Sequence, residues 1–98
     1  MSARIRAAFR VTGRVQGVGF RWWTAEQARE LGLAGFVRND PDGAVSGLAE
    51  GEAEPLERFK SKLSEGPSQA RVESLQWELD MEAASRPQSL PFPFAILR

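Results

Sequence analysis

The residues best suited to chemistry in this chain lie in one short segment, where three glycines precede an arginine. Gly13, Gly17 and Gly19 come shortly before Arg21 in the segment 13–21. Glycine lets the backbone approach a ligand closely, and successive N–H groups in such a loop can converge on an anion. A guanidinium group can donate two parallel hydrogen bonds to phosphate or carboxylate oxygens. We therefore interpret the segment as a candidate phosphate-binding loop that carries its own arginine.

The glycine spacing differs from that of two common phosphate-binding motifs. The segment 13–21 lacks the Gly-Lys-Ser/Thr ending of a P-loop, and its glycines do not fit the pattern G-x-G-x-x-G. Glycine-rich turns between a strand and a helix are also common, and Arg21 could be a solvated residue of a first helical turn. The composition of the loop therefore leaves both anion binding and a plain turn open.

The composition of the whole chain limits the chemistry, because the chain has neither histidine nor cysteine. This excludes thiolate nucleophiles, phosphohistidine chemistry, disulfides, most zinc sites and the usual general base. No apolar run has the length of a membrane span, and the first residues lack the apolar core of a signal peptide. The 98 residues fit a single domain over 1–98, and we expect a cytoplasmic protein that does not bind a membrane.

The charge is unevenly distributed, although the net charge is zero. Residues 1–38 carry a net charge of +5 and residues 39–98 a net charge of −5. The basic half surrounds the glycine loop and would attract a small anionic ligand. A nucleic-acid-binding domain is usually basic overall, and an RNA-binding sheet of this size needs exposed aromatic side chains on its central strands. We therefore expect no nucleic-acid partner.

Hydrophobic periodicity predicts the elements that must position the loop. Residues 4–12 alternate between apolar and polar types, which predicts a strand that buries one face. A helix is predicted from Phe20 to a stop at Gly32, with Phe20, Trp23, Ala28 and Leu31 on its apolar face. Trp22 falls outside this face, and we expect it to pack beneath the loop rather than to remain partly exposed.

The rest of the chain completes an α+β pattern. The further predicted elements are strands over 35–39 and 44–50 joined by a tight turn over 40–43, a helix with Pro55 in its first position that ends at Gly66, an irregular strand over 72–79, a polar loop over 86–93, and a short strand over 94–98. The strand over 72–79 is predicted to be irregular because Val72 and Leu75 are out of phase for a period of two. The order predicts a ferredoxin-like βαββαβ sandwich, with two helices on one face of an antiparallel sheet.

Motifs along the chain resemble those of the acylphosphatase family. The residues that carry the resemblance are 11–21, 32–33, 35–39, 42–43, 50–51, Phe59, Leu63, 66–67 and the closing Phe94-x-Ile96-x-Arg98. The resemblance implies a monomeric enzyme without cofactor or metal, which hydrolyses acyl phosphates to a carboxylate and inorganic phosphate. The sequence departs from the family pattern at Phe36, where Trp or Tyr is common, and at the bulky pair Trp22-Trp23, and both departures bear on substrate preference.

The resemblance also implies roles for individual residues. Arg21 would bind the phosphoryl group, and Asn39 would orient the attacking water. The backbone N–H groups that would complete the phosphate site are those of Gln16, Gly17, Val18, Gly19 and Phe20. We expect the Gln16 side chain to shape the loop. Without the resemblance, Asn39 would be interpreted as a turn residue before Asp40-Pro41.

Two other functions are compatible with parts of the sequence. Asp40-x-Asp42-Gly43 is similar to the start of magnesium-dependent aspartyl-phosphate hydrolases, but that chemistry needs a larger domain, so we interpret these residues as a turn. The stronger alternative is a non-catalytic module of the same fold that binds phosphate or carbamoyl phosphate, as related domains of hydrogenase maturation proteins suggest. Because no appended domain follows Arg98, we expect a free-standing enzyme.

Overall fold

The computed structural model describes residues 4–83 and 89–98. The elements are β1 (Ile5–Arg14), α1 (Phe20–Glu30), β2 (Ala34–Asn39), β3 (Val45–Gly51), α2 (Ala53–Glu65), β4 (Arg71–Asp80) and β5 (Ala95–Ile96). Residues 86–88 of the predicted polar loop lie outside the described residues. In the described part of the chain, neither α1 nor α2 has the length and apolar character of a membrane-spanning helix.

The five strands form one sheet in the order β4-β1-β3-β2-β5. The pairs β1–β3, β1–β4 and β2–β3 are antiparallel, as predicted, and they form the ferredoxin-like core. The strand β5 departs from the expected antiparallel sheet, because it runs parallel to β2 and places Ile96 opposite Val37. The reason is topological: β4 ends at the same end of the sheet at which β2 begins, so a strand that returns along the far edge must follow the direction of β2.

Both helices cover one face of the sheet, and three phenylalanines form the centre of the core beneath them. Phe9 of β1, Phe59 of α2 and Phe94 before β5 are buried. The ring of Phe59 packs edge-on against the other two rings, with centroid distances of 5.5 Å to Phe9 and 5.9 Å to Phe94. Aromatic pairs favour this geometry. The core therefore joins the first strand, the second helix and the C-terminal segment.

The predicted irregularity of the fourth strand is a bulge opposite Gly13. The register between β1 and β4 shifts between Thr12 and Gly13, so that Gly13 pairs with Val72 while Thr12 pairs with Ser74. Gly13 has φ 125°, and a Cβ atom there would lie 2.1 Å from the carbonyl oxygen of Arg71. This close backbone approach requires glycine. Gly13 therefore serves the sheet, whereas the loop itself depends on the two later glycines.

Two details of the helices differ from the sequence prediction. The prediction that Trp22 packs beneath the loop is wrong, because 63% of its surface is exposed. On α1 the buried residues include Thr24 and Ala25, which shifts the apolar face away from Trp22. The second helix begins at Ala53, two residues earlier than predicted. Pro55 still lies in the first turn, where an N–H group has no acceptor within the helix.

Candidate active site

A loop of five residues joins β1 to α1 and supplies the floor of the candidate site. Val15 is buried and anchors the loop to the core. Gly17 and Gly19 have φ angles of 76° and 78°, in the left-handed region that favours glycine. A Cβ atom at either glycine would meet no other atom within 4 Å. The two glycines are therefore required by backbone conformation, and the space beside them is open to a ligand.

The N-terminus of α1 points its unpaired N–H groups into the same region. The first hydrogen bond of α1 is donated by the Trp23 N–H to the Gly19 carbonyl at 3.0 Å. The N–H groups of Phe20, Arg21 and Trp22 thus lie in the first turn, where the helix offers no acceptor. No acidic side chain occupies this turn. The positive end of the helix dipole is therefore available to an anion.

Arg21 is half-buried and is held by the C-terminal segment. Its Nη1 donates a hydrogen bond to the Leu97 carbonyl at 3.0 Å. The Leu97 N–H in turn donates to the Val37 carbonyl at 2.8 Å, which continues the pairing of β5 with β2. A guanidinium group has five N–H donors, so this tether leaves donors for a ligand. Arg21 is thus oriented by the protein before any ligand binds.

Asn39 is the last residue of β2 and carries an unsatisfied polar atom. Its Oδ1 is buried, and no donor among the described residues bonds to it. Leaving a buried acceptor unpaired costs about 1–3 kcal/mol, and a ligand or water molecule that donates to this atom would offset the cost. If Asn39 were only a turn residue before Asp40-Pro41, nothing would explain why its Oδ1 is buried without a partner in the described part of the chain.

One pocket brings most of the predicted site residues together. Its volume is about 230 Å³, and its lining residues are Val15, Gly17, Gly19, Phe20, Arg21, Trp22, Asn39 and Ile96. An adjoining recess is lined by Arg21, Asn39, Ile96 and Arg98. Gln16 and Val18 were predicted through their backbone N–H groups and are not among the lining residues. Trp22 and Ile96 were not predicted as site residues, although the sequence analysis singled out the bulky pair Trp22-Trp23 and the closing motif Phe94-x-Ile96-x-Arg98.

The Gln16 side chain connects the loop to the turn that follows Asn39. Its Nε2 donates to the Asp40 carbonyl at 2.8 Å and to the Ala44 carbonyl at 2.9 Å. These two carbonyls flank the turn between β2 and β3. These contacts are what a loop-shaping role of Gln16 requires, and they connect the loop to the chain next to Asn39.

The two carboxylates nearest to Asn39 in sequence are engaged with cations. Asp40 accepts hydrogen bonds from Arg10 at 3.2 Å, Arg38 at 3.4 Å and Ser46 at 2.9 Å. Asp42 pairs with Arg10, whose hydrogen bond holds the pKa of the Asp42 carboxyl below its usual value. Neither carboxylate lines the pocket. In residues 4–83 and 89–98, no cluster of acidic side chains could hold a metal ion.

Three comparisons with known proteins agree with one another. A family model described as acylphosphatase matches residues 7–88. The acylphosphatase of Thermococcus kodakarensis is 48% identical over 77 residues, which represent 76% of this chain and 85% of that protein. A crystal structure of acylphosphatase from Bacillus subtilis aligns with a TM-score of 0.85 and 32% identity over 96% of this chain and 99% of that chain.

The same fold also matches part of a larger protein. A structure of full-length HypF in its phosphate- and nucleotide-bound form aligns with a TM-score of 0.82 and 25% identity. The match covers 100% of this chain but only 12% of the HypF chain. The fold therefore occurs both in acylphosphatases of similar length and as a small part of a larger protein.

Proposed function

The chain belongs to the acylphosphatase family and hydrolyses the mixed anhydride between a carboxyl group and a phosphate, and from this premise we propose how its residues carry out the reaction. The carboxylate leaving group of an acyl phosphate is stable, so acid assistance to its departure is of little importance. The enzyme has to hold the phosphoryl group, neutralise its charge and place a water molecule in line with the breaking bond. These tasks need positioned donors rather than a covalent nucleophile.

The phosphoryl group binds at the start of α1. The backbone N–H groups of Gln16, Gly17, Val18, Gly19 and Phe20 donate to its oxygens, and Arg21 donates through its guanidinium group. Support comes from the left-handed glycines, the open space beside them and the unpaired first turn of the helix. The tether from Arg21 to the Leu97 carbonyl restrains the guanidinium group and leaves other donors for two parallel hydrogen bonds to phosphate.

Asn39 orients the attacking water, and the observation that carries this assignment is that Asn39 lines the same pocket as Arg21 and has a buried Oδ1 without a partner among the described residues. An amide oxygen accepts a hydrogen bond from water but is not a strong base. The proton released during attack passes to an oxygen of the substrate phosphate. Asp40 and Asp42 are unsuited to act as bases, because both are paired with Arg10 and lie outside the pocket lining.

The remaining parts of the proposal concern the form in which the enzyme acts. It works as a monomeric single domain over residues 1–98 in the cytoplasm, on a small acyl phosphate, without metal, cofactor or nucleic acid. Support comes from the absence of histidine and cysteine and from the zero net charge. Hydrolysis of benzoyl phosphate at the same rate with and without a chelator is the expected result, and loss of activity with the chelator contradicts the metal-independent mechanism.

The assignment of Asn39 is tested by separating binding from turnover in the variant Asn39→Ala. We expect the rate of benzoyl phosphate hydrolysis to fall by about 10²–10³, as for removal of one positioned donor in other active sites. Calorimetric titration with inorganic phosphate should still detect binding. A folded variant that no longer binds phosphate would place Asn39 in the phosphate site, and one with nearly normal turnover would remove it from the mechanism.

A further inference from the structure

The opening of the active-site pocket carries two large apolar side chains that the proposed mechanism does not use. Trp22 is 63% exposed and Ile96 is 37% exposed. Both line the same pocket as Arg21 and Asn39. An apolar surface next to a cation and a polar amide is a typical arrangement for a small-molecule site, in which a few polar groups fix orientation and apolar groups contact the rest of the ligand.

Trp22 contributes little to the packing of the fold. It lies two residues after the buried Phe20, and thus about 200° around the helix from it. The other two tryptophans do pack against the core: Trp23 lies 5.5 Å from the ring of Phe20, and Trp77 lies 6.5 Å from the ring of Phe59. A mostly exposed indole beside the pocket therefore calls for a role other than core packing.

Ile96 is held firmly against the same opening. It pairs with Val37 in the parallel ladder between β5 and β2. Two arginines of α1 bind the chain on either side of it, since Arg29 donates to the Phe94 carbonyl at 2.9 Å and Arg21 donates to the Leu97 carbonyl at 3.0 Å. Rigid elements thus present both apolar side chains, one on a helix and one on a strand.

The chemistry of an acyl phosphate gives these side chains a partner. With the phosphoryl group at Gly17, Gly19 and Arg21, the acyl group has to extend from the bridging oxygen toward the opening of the pocket. We propose that Trp22 and Ile96 form the acyl-binding subsite and make the enzyme selective for acyl phosphates with an aromatic or branched apolar acyl group. This inference rests on the proposed phosphate site. Arg98 is not part of this subsite, because it lines the adjoining recess and not the pocket that contains Trp22.

The test compares two substrates in a small set of variants. The kcat/KM values for benzoyl phosphate and acetyl phosphate are measured for the wild type, Trp22→Ala, Ile96→Ala, Trp22→Phe and Met81→Ala. Each variant's ratio of the two values is divided by the wild-type ratio, which cancels the different intrinsic reactivities of the substrates. Met81 is a matched control, because it is 64% exposed and lines a different pocket at the opposite end of the sheet.

We expect Trp22→Ala to lower the benzoyl-to-acetyl ratio at least about tenfold, since even one missing methylene contact in an apolar pocket costs that much selectivity. Ile96→Ala should lower the ratio as well, whereas Trp22→Phe should retain most of it and Met81→Ala should leave it unchanged. An unchanged ratio in Trp22→Ala overturns the subsite. This includes the case in which kcat/KM falls by the same factor for both substrates. A wild type that hydrolyses neither substrate overturns the proposed function together with the subsite.

Discussion

Removing the Gln16 side chain should loosen the contact between the phosphate-binding loop and the turn that follows Asn39. It should do so without removing any group that touches the substrate. The side chain makes two hydrogen bonds, to the carbonyls of Asp40 and Ala44. Each such bond contributes about 0.5–1.5 kcal/mol, so Gln16→Ala should lower the free energy of unfolding by about 1–3 kcal/mol. The backbone N–H of residue 16 remains in place, and the direct loss of phosphate binding should be small.

The larger effect of Gln16→Ala should be on turnover. The two hydrogen bonds hold the phosphate loop at a fixed distance from the turn that begins next to Asn39. A displacement of about 1 Å between catalytic groups can cost about 10²-fold in rate, so we expect kcat to fall by one to two orders of magnitude. KM should change less, because the groups that bind the phosphoryl group are retained.

The measurement combines urea unfolding with steady-state kinetics on benzoyl phosphate. Gln76→Ala is the control, because Gln76 is an exposed glutamine on β4 at the far edge of the sheet. It should change neither stability nor kcat. The reasoning is refuted if Gln16→Ala keeps kcat within about threefold of the wild type, or if kcat falls only to the extent that the variant is unfolded.

Three further predictions follow from the geometry of the site and the sheet. Arg21→Lys keeps the charge but loses the planar donor pair, so the protein should fold normally while kcat/KM falls by more than about 10²-fold; activity close to wild type removes Arg21 from the phosphate site. Gly13→Ala should destabilise the fold in urea by more than about 1–3 kcal/mol, because backbone strain adds to a 2.1 Å contact with the Arg71 carbonyl; Gly43→Ala has the strain without the contact and should cost less. Arg10 lowers the pKa of Asp42 in the folded state, so this pair stabilises the fold above the ordinary Asp pKa of about 3.9 and the effect is lost as the pH falls through the lower folded value. The difference in thermal stability between wild type and Asp42→Asn should therefore shrink from pH 6 to pH 2, and it should also shrink at high salt because both groups are exposed.

The order of elements and the glycine-rich loop before Arg21 could be predicted from the sequence because both depend on local signals. Alternation over residues 4–12 and the helical period after Phe20 each predict one element without reference to the rest of the chain. The out-of-phase pair Val72 and Leu75 predicted an irregular strand, and the bulge opposite Gly13 is its physical cause. The proximity of Arg21 and Asn39 came from the resemblance to a known family rather than from the pattern of residues.

What the sequence did not predict depends on contacts between distant segments. The direction of β5 follows from where β4 ends, which no local pattern contains. The exposure of Trp22 follows from the exact rotation of α1 on the sheet, where Thr24 rather than a larger residue faces the core. The position of Ile96 at the pocket depends on its pairing with Val37. The positions of Trp22 and Ile96 at the pocket could therefore be found only from the three-dimensional structure.

The tether between Arg21 and the Leu97 carbonyl links catalysis to the docking of β5. Its two partners are separated by 76 residues in sequence. Closing so long a loop costs chain entropy, which the contacts made when β5 docks on β2 have to offset. A chain in which β5 is undocked therefore has an unrestrained Arg21 and a pocket without the Ile96 wall. Recovery of enzymatic activity during refolding then reports the docking of the C-terminal segment, which also completes the core by burying Phe94.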